Sequence, residues 1–349
     1  KCNSKGTPHC RDVMTEKSTI TDVAKMAGVS IKTVSRVLNG EPNVRAKTRE
    51  TVLEASKALK YAPNPAARGL ASSKSYLLAL LYDIPSPGYI ARVQKGATDA
   101  CRKAGYHLVV QPLDMNDLDV VQDVDSLLRR LPVDGVILTP PLCDSGEVIT
   151  VLNRLSIPYV PISPSAVHGG VPVIRMDDVK GAQEMTEYLI SLGHKDIGFI
   201  QGHPRHNSSA LRFQGYREAM RDANLRINPD WIVQGDYTYK SGAGAAEILF
   251  AQDKRPTAIF ASNDDMAAGV MSVANRNKIS VPGSLSIAGF DDNLIAELVW
   301  PRLTTVCQPV RNMGFKAAEC LLNRDPKVPD NSVCNLNHSL IIRESTRAL

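Results

Sequence analysis

From residue 76 onwards, short apolar runs alternate with helical patterns. Helical periodicity separates many of the runs, as in Val93–Ala104, Ala182–Leu192 and Arg212–Ala223. Strands that alternate with helices at this spacing are typical of a parallel, doubly wound sheet. Such sheets bind ligands at the carboxyl ends of their strands. The apolar runs are Leu77–Leu81, Leu108–Val110, Gly135–Leu138, Tyr159–Ile162, Val173–Met176, Ile197–Ile200, Ala258–Ala261 and Ser286–Phe290.

The residues before this region have a different pattern, with two short helices and a third one after them. Thr19 or Thr21 can cap the first helix, Gly28 supplies a turn, and Ser30 can cap the second helix. Two short helices joined by a glycine-containing turn are typical of a helix-turn-helix. A third helix is predicted over residues 46–59, where an apolar stripe recurs at helical spacing.

Positive charge is concentrated in the same region. The whole chain has a formal net charge of +5, but residues 17–75 carry eleven basic and four acidic side chains, whereas residues 76–349 carry 27 basic and 30 acidic ones. A basic head on a mildly acidic body predicts a polyanion partner at one end only. A hydrophobic content of 43% excludes a disordered chain, and the longest apolar run, residues 76–82, is too short to span a bilayer.

Features of an enzyme or a metal protein are weak in this sequence. None of the seven cysteines stands in CxxC spacing, which argues against zinc and fits a reduced cytosol. The segment from Gly242 to Glu247 begins like a dinucleotide fingerprint but lacks its final glycine. His203 and His206 have no further partners at metal-ligand spacing. We therefore predict no enzyme activity, no metal and no cofactor.

Several segments, in one consistent order, resemble the LacI/GalR (lactose-repressor) family. The head and the segment after it carry TITDVAKMAGVSIKTVSRVLNG and YAPNPAARGL, and the body carries SLGHKDIGFI, SSALRFQGYREAM, ASNDDMAAG, SIAGFDD and LTTVCQP. The resemblance implies an all-α helix-turn-helix head and an α/β periplasmic-binding-protein-like core with two doubly wound parallel-sheet subdomains. The implied divisions are a leader at 1–17, of which residues 1–13 need not be native, a head at 18–62, a hinge helix or linker at 63–75, and a core at 76–349, with an N-subdomain at about 76–176 and 307–337 and a C-subdomain at about 177–306 and 338–349.

The resemblance also assigns DNA contacts. It makes Ile31 and Lys32 a base-reading pair, Arg36 a reader of an outer base, and Leu70 a wedge that kinks the central step of the DNA site. Lysine can donate to guanine O6 and N7, and isoleucine can touch a thymine methyl group. A solvated basic helix face is the alternative interpretation of Lys32 and Arg36. The other residues assigned to DNA are Thr19, Ser30, Thr33, Ser35, Asn39, Ala67 and Arg68.

In the core, the resemblance implies an effector site between the two subdomains. Arg212, Asn263 and Asp291 match effector contacts of the family, and Tyr237 matches an aromatic residue that stacks on the ligand. Ser163 falls where relatives carry an aspartate, which leaves the sugar specificity open. A sugar or glycoside is the expected effector, with a nucleoside or purine as the alternative, and it could act as inducer or corepressor. The remaining residues assigned to this site are Asp83, Ser86, Tyr89, Ser208 and Gln308.

Taken together, these features predict a transcriptional repressor under allosteric control by a small molecule. Two heads must reach two half-sites, so the expected unit is a homodimer on a pseudopalindromic double-stranded DNA operator. The residues around 341–347 contain no heptad segment, which argues against a tetramer through a coiled coil. The expected location is the cytoplasm, in association with the bacterial nucleoid and without membrane contact. A solute-binding protein is the alternative on the same core fold.

Overall fold

The structure is a computed structural model, in which the chain divides into two units, Lys1–Ser75 and Tyr76–Leu349. The buried apolar residues form one core cluster in the first unit and three in the second. No helix in the described part of the chain is both long and apolar enough to cross a membrane. The described residues are 18–38, 43–61, 74–83, 86–167, 169–324 and 330–349.

Three helices with sharp local boundaries form the first unit. Of the two predicted caps, the structure uses Thr19, whose hydroxyl accepts from the Asp22 N–H at 3.3 Å while the Asp22 carboxylate accepts from the Thr19 N–H at 2.8 Å. This reciprocal pair is a capping box. Gly28 ends the helix with a φ of +65°, a left-handed conformation that favours glycine. The helices are α1 (Ile20–Ala27), α2 (Ile31–Leu38) and α3 (Ala46–Ala58).

The second helix begins as the sequence predicts. The Ser30 hydroxyl accepts from the Thr33 N–H at 3.2 Å, which satisfies one of the free donors of the first turn. Val34 and Val37 are buried in a small core that also contains Val23 and residues of α3. The predicted helix-turn-helix with a third supporting helix is therefore confirmed.

A four-stranded parallel sheet forms one part of the second unit, in the order β2-β1-β3-β4. Its strand β1 buries residues 78–81 without alternation, because helices cover both faces of such a sheet. This explains why a continuous apolar run, rather than an alternating pattern, predicted the strand. The elements are β1 (Leu77–Tyr82), α4 (Pro87–Ala104), β2 (His107–Pro112), α5 (Val120–Arg130), β3 (Gly135–Leu138), α6 (Gly146–Arg154) and β4 (Tyr159–Pro161).

A six-stranded sheet forms the other part, in the order β12-β10-β9-β8-β6-β7. Five strands are parallel, which confirms the predicted doubly wound core, but the edge strand β12 runs antiparallel to β10. The elements are α7 (Asp178–Ser191), β6 (Ile197–Gln201), α8 (Asn207–Asp222), β7 (Ile232–Gln234), α9 (Tyr239–Phe250), β8 (Ala258–Ala261), α10 (Asp264–Arg276), β9 (Ser286–Asp291), α11 (Leu294–Leu298), β10 (Thr304–Cys307) and β12 (Ser339–Ile341).

A short two-stranded parallel sheet connects segments that are distant in sequence. Here β5 (Val173–Met176) pairs with β11 (Val333–Leu336), and a bridge between Ile162 and Ile174 joins β5 to the segment after β4. The chain thus enters the six-stranded sheet after β5, leaves it after β10 and returns with β12. This path is compatible with subdomain crossings near residues 176, 306 and 338, which stay a prediction.

Two helices on the four-stranded side approach each other closely at glycines. Helix α12 (Val310–Leu322) packs on α4. A Cβ atom added to Gly96 would lie 1.8 Å from the backbone oxygen of Arg311, and one added to Gly314 would lie 2.1 Å from that of Val93. Because both obstacles are backbone atoms, only glycine permits this helix–helix distance.

Residues after β12 complete the six-stranded sheet. Ser345 is fully buried, and its hydroxyl accepts from the Thr304 N–H at 2.8 Å and donates to the Ile287 oxygen at 2.6 Å. Its backbone oxygen accepts from the Ile287 N–H at 2.9 Å. One residue near the C-terminus therefore ties together β9 and the start of β10.

Candidate functional site

Helix α2 buries one face and presents another to solvent. Val34 and Val37 point into the core of the first unit, while Ile31 is 48% exposed and Lys32 and Arg36 are exposed. An exposed isoleucine beside a lysine in the first turn has no role in the core of this unit. This exposure is compatible with a recognition helix, and the base contacts of its N-terminal residues stay a prediction.

Some of the other residues predicted to contact DNA lie in the described part of the chain, and some do not. The Ser30 and Thr33 hydroxyls lie 2.9 Å apart at the start of α2, and Ser35 is half-buried further along it. Thr19 caps α1, and its hydroxyl also donates to Asp22 at 2.7 Å. These DNA contacts stay predictions. Four further predictions lie outside the described residues, namely Asn39, Ala67, Arg68 and Leu70.

In the second unit, a cleft of about 530 Å³, its opening included, brings together all ten residues predicted to bind an effector. Most of them end or follow a strand at its carboxyl end or lie in the first turn of the next helix, because parallel strands end at the same edge, and Arg212 lies one turn further along α8. Their binding role stays a prediction. The ten residues are Asp83, Ser86, Tyr89, Ser163, Ser208, Arg212, Tyr237, Asn263, Asp291 and Gln308, and the other lining residues are Ile90, Pro140, Asp178 and His206.

Arg212, on α8, is the cation of the cleft, and only 4% of it is exposed. Its Nε donates to Asp178 at 2.8 Å, its Nη1 lies 3.6 Å from the Asp291 carboxylate, and the Phe290 ring packs 3.8 Å from the guanidinium carbon. Burial alone would lower the pKa of Arg212, but Asp178, Tyr237 and Asp291 outweigh it and raise that pKa. The guanidinium is therefore charged and rigidly held.

Asp291 and Gln308 form the floor of the cleft. Gln308 Nε2 donates to the Asp291 carboxylate, and both side chains are almost fully buried. Arg92 of α4 holds the backbone beneath them, because its guanidinium donates to the oxygens of Asp291, Asp292 and Gln308 at 2.6, 2.9 and 3.0 Å. A ligand that contacts both Asp291 and Gln308 therefore contacts two segments that α4 holds in register.

An aromatic wall lies beside Arg212. The Tyr237 hydroxyl lies 2.9 Å from the Ser208 hydroxyl, its ring meets His206 edge-on at 5.5 Å, and its backbone oxygen accepts from Asn263 Nδ2 at 2.9 Å. Asn263 also caps α10 by accepting from Met266 N at 3.0 Å. Both ends of the Asn263 amide thus have a structural task, and it positions Tyr237.

The opposite wall comes from the start of α4 and the segment after β4. The Ser86 hydroxyl donates to Asp265 of α10 at 2.9 Å, which joins the two sides of the cleft. Tyr89 follows in the first turn of α4, with Asp83 before it. Ser163 has a φ of +49° and lines the cleft at the position where the family resemblance implies an aspartate. This wall is therefore rich in hydroxyl groups.

Two family profiles match the chain. The profile described as bacterial regulatory proteins of the lacI family covers residues 19–64, and the profile described as a periplasmic binding protein-like domain covers residues 186–346. Catabolite control protein A of Priestia megaterium is 35% identical over 335 residues, which are 94% of this chain and 99% of that protein. The chain belongs to the LacI family. The prediction from its sequence motifs is confirmed.

Solved structures of similar regulators agree with this assignment. The lac repressor dimer bound to operator and the anti-inducer ONPF has a TM-score of 0.76 and 28% identity, and the match covers 95% of this chain and all of that one. The transcriptional regulator CelR in complex with cellobiose has a TM-score of 0.72 and 29% identity, and covers 94% of this chain and 99% of that one. The fold of both units is therefore that of the LacI family.

Sequence reasoning missed two residues of this LacI-family cleft. Asp178 is not among the predicted site residues, yet it lines the cleft and binds Arg212. It follows β5 and opens α7, so the rule that ligands lie at the carboxyl ends of strands would have found it. His206 precedes α8 in the same way. Among the described residues, no group of three or more His, Cys, Asp or Glu side chains is arranged to hold a metal.

The segment that resembles a dinucleotide fingerprint and two aspartates next to cleft residues have structural roles. The segment Gly242–Glu247 lies inside α9, where the helix uses the backbone N–H groups that a phosphate-binding loop would need to keep available. Asp264 is buried and accepts from Thr305 Oγ1 at 2.5 Å and from Asn293 N at 2.7 Å. Asp292 pairs with Arg343 at 2.7 Å. The relatives named above are regulators of transcription rather than enzymes.

Two buried groups of the cleft should have opposite effects on stability as pH changes. Burial raises the pKa of Asp291 to about 6, so between about pH 4 and 6 its carboxyl group binds a proton more tightly in the folded than in the unfolded state. Asp291 therefore lowers the free energy of unfolding as pH rises through this range. Burial lowers the pKa of His206 to about 4, so between about pH 6.5 and 4 its imidazole binds a proton more tightly in the unfolded than in the folded state. The free energy of unfolding therefore decreases as pH falls through this range.

We therefore expect opposite pH responses from two variants. Relative to wild type, His206→Gln should gain about 2 kcal/mol between pH 7.5 and 5, and Asp291→Asn should lose about 1 kcal/mol over the same change, at 1.36 kcal/mol per pKa unit. Urea unfolding at both pH values measures the free energies. A difference that does not change with pH for either variant would contradict the assignment for that group.

Proposed function

We propose that this LacI-family chain is a sequence-specific transcriptional repressor whose affinity for operator DNA is controlled by a small molecule. The observation that carries the proposal is the meeting of all ten predicted effector residues around one cleft, in a chain that also has an exposed basic recognition helix. The regulator acts as a homodimer on a pseudopalindromic double-stranded operator, as the operator-bound lac repressor dimer supports.

Thermodynamic linkage is the proposed mechanism of control. The cleft is built from segments of the four-stranded and the six-stranded parts, so a ligand that prefers one arrangement of these parts shifts the population towards it. If that arrangement binds operator less well, the ligand is an inducer, and if it binds better, the ligand is a corepressor. In either case DNA and ligand change each other's affinity by the same factor.

The proposed effector is a sugar or a glycoside. Hydroxyl, carboxylate, amide and guanidinium groups line the cleft beside the Tyr237 ring, and this combination suits a polyhydroxyl ring. The complex of the similar regulator CelR with cellobiose supports the same class. The second candidate is a nucleoside or purine, which the two aromatic lining residues Tyr89 and Tyr237 would favour.

A ligand screen tests this effector class. Sugars, glycosides, nucleosides and purines are added to the full chain, and the change in melting temperature is measured, because a ligand of the native state stabilises it. Operator sequences are selected from a random DNA library, and each stabilising ligand is then added to the DNA complex. A ligand that raises the melting temperature without changing operator affinity would contradict the proposed regulation.

Base reading by α2 leads to a separate prediction. Lys32→Ala should relax the preference at one base pair by about 1–3 kcal/mol while affinity for other sites changes little. Lys57, exposed near the end of α3, is the matched control, because its loss should weaken all sequences equally or not at all. Binding to all single-base variants of the selected operator decides the matter. Equal weakening on every sequence by Lys32→Ala would exclude a base contact.

The DNA measurement also separates the repressor from a solute-binding protein. A repressor binds even nonspecific DNA with a steep dependence on salt concentration, whereas a solute-binding module has no such affinity. Under this proposal the chain works in the cytoplasm, in association with the nucleoid, and it needs neither a cofactor nor a catalytic group.

A further inference from the structure

A tight turn at the end of β9, residues 291–293, brings Asp291 to the cleft. Asp291 has a φ of +115° and Asp292 a φ of +54°, so two consecutive residues with side chains adopt a left-handed conformation. Such conformations are unfavourable and persist only where the surrounding structure holds them. Among the described residues, the buried Asn293 Oδ1 has no hydrogen-bond partner, which adds to the cost. The turn therefore depends on contacts from its surroundings.

Two of these contacts come from the six-stranded part, to which the turn itself belongs. The Asp264 carboxylate accepts from the Asn293 N–H at 2.7 Å, and Arg343 donates to the Asp292 carboxylate at 2.7 Å. Asp264 opens α10 and Arg343 follows β12, so both are tied to the same sheet as the turn. These two contacts therefore do not depend on how the two parts of the core are arranged.

The remaining support comes from Arg92 of α4, on the four-stranded side. Its guanidinium donates to the backbone oxygens of Asp291 and Asp292 at 2.6 and 2.9 Å, and to that of Gln308 at 3.0 Å. Hydrogen bonds from a charged donor are about twice as strong as neutral ones. Burial raises the pKa of Asp291, and the positive charge of Arg92 is one of the influences that oppose this rise. Arg92 thus acts on both the backbone and the carboxylate of Asp291.

Helix α4 also contacts the turn one helical turn earlier. A Cβ atom added to Gly88 would lie 3.2 Å from Asn293 Cγ, so the helix backbone packs directly against that amide. The two contacts of α4, at Gly88 and at Arg92, join the four-stranded part to the turn of the six-stranded part. They persist only while α4 and the turn keep their present relative position.

We propose that Arg92 is a positioning residue that couples the effector site to α4. It holds the turn in the form that places the Asp291 carboxylate at the cleft, and it can do so only in the present arrangement of the two parts. A ligand that binds Asp291 therefore favours this arrangement, and a change of arrangement releases the turn and weakens the ligand. This inference rests on the proposed function and adds the residue through which the two parts communicate.

Hydrogen exchange on the full chain, without any ligand, tests the clamp. Arg92→Met keeps an apolar stem but removes the guanidinium, and Arg102→Met, at an exposed position of the same helix, is the matched control. In the segment 289–294, we expect exchange to be at least about tenfold faster in Arg92→Met than in the wild type, and within about twofold of the wild type in Arg102→Met. Equal exchange in the two variants overturns the inference.

Two comparisons separate a released turn from a general loss of stability. Exchange over Tyr239–Phe250, inside α9, should be within about twofold of the wild type in both variants. Arg92→Lys keeps the charge but lacks the planar fork that reaches three oxygens, so its exchange in the segment 289–294 should be intermediate. If α9 and the turn accelerate equally in Arg92→Met, the residue stabilises the fold in general and the inference is wrong.

Probe binding measures the coupling itself. Cellobiose, ribose and adenosine are titrated by calorimetry into the wild type and the variants. Arg92 is not one of the residues that line the cleft, so it changes affinity through the turn. A probe that binds the wild type should bind Arg92→Met at least about tenfold more weakly, because the competent arrangement is less populated, and Arg102→Met with unchanged affinity. Unchanged affinity in a folded but less stable Arg92→Met overturns the inference.

Failure of the proposed function would give a different result. If none of the three probes binds the wild type, hydrogen exchange alone decides whether Arg92 holds the turn. If a probe binds the wild type about tenfold more tightly than Arg92→Met but leaves operator affinity unchanged, the proposed regulation is wrong, whereas the positioning of Asp291 by Arg92 is supported.

Discussion

Replacing Arg212 by alanine is expected to abolish the response to effector and to lower the free energy of unfolding by about 3–5 kcal/mol. The loss is large because Asp178 and Asp291, both nearly inaccessible to solvent, would keep their carboxylates without a counter-charge. Urea unfolding measures the stability, and operator binding with and without the ligand found by screening measures the response. If the operator affinity of the variant still changes when the ligand is added, then Arg212 does not bind the effector.

Two further variants separate recognition from stability. The double change of Arg212→Met and Asp178→Asn removes both charges of the 2.8 Å pair, so it should recover part of the stability but none of the ligand response. Arg217 lies on the same helix but is exposed, and Arg217→Ala should change stability by no more than about 0.5 kcal/mol. If the double variant responds normally to ligand, then Arg212 supports the fold alone.

The second large effect is expected from a single methyl group. Gly314→Ala should destabilise the chain by about 3 kcal/mol, because the new Cβ would lie 2.1 Å from the Val93 oxygen and α4 and α12 would have to separate. The reciprocal change Gly96→Ala should behave alike, since its Cβ would meet the Arg311 oxygen at 1.8 Å. Neither obstacle can move away by a side-chain rotation.

The same substitution at an open position gives the control. Gly244 lies on the exposed side of α9, and a Cβ there meets nothing within 4 Å. Gly244→Ala should therefore stabilise by about 0.5–1 kcal/mol, because glycine is a poor helix former. Urea titrations of the three variants measure the sign of the change in the free energy of unfolding. Similar midpoints for Gly314→Ala and Gly244→Ala would show that the helices tolerate separation.

Eight of the twelve strands in the described part of the chain were predictable from the sequence, and four were not. All eight predicted runs form strands, since a strand covered on both faces must be apolar throughout, as Leu77–Tyr82 is. The structure adds β7, β10, β11 and β12. Three of these are short and only partly buried, and β10 buries two threonines. Their pairing depends on distant partners, which a local pattern does not contain.

Helix starts were predicted too late. The first helix of the core was expected from Val93, but it begins at Pro87, and α8 begins at Asn207 rather than at Arg212. The first turn of such helices carries proline, glycine and polar side chains instead of an apolar stripe. These same first turns line the cleft, so the least predictable part of each helix is the part that bears the candidate site.

Site residues that a motif identifies singly were predictable from the sequence. Residues whose role depends on a contact with a distant residue were not. The family resemblance and the positions after predicted strands gave ten residues, and all ten line the cleft. Asp178 was not among them, because its importance comes from its contact with Arg212, 34 residues away in the sequence. The double engagement of Asn263, which caps α10 and holds Tyr237, is likewise visible only in three dimensions.

The burial of Ser345 has a consequence for the order in which the parts of the protein fold during synthesis. The strand β12 and Ser345 follow every other strand of their sheet in the chain, and Ser345 bonds to both β9 and the first residue of β10. The ribosome releases the N-terminal residues first. The three head helices have a hydrophobic core of their own, so they can fold on a nascent chain. The head can therefore search nearby DNA before the part of the molecule that senses the effector is complete.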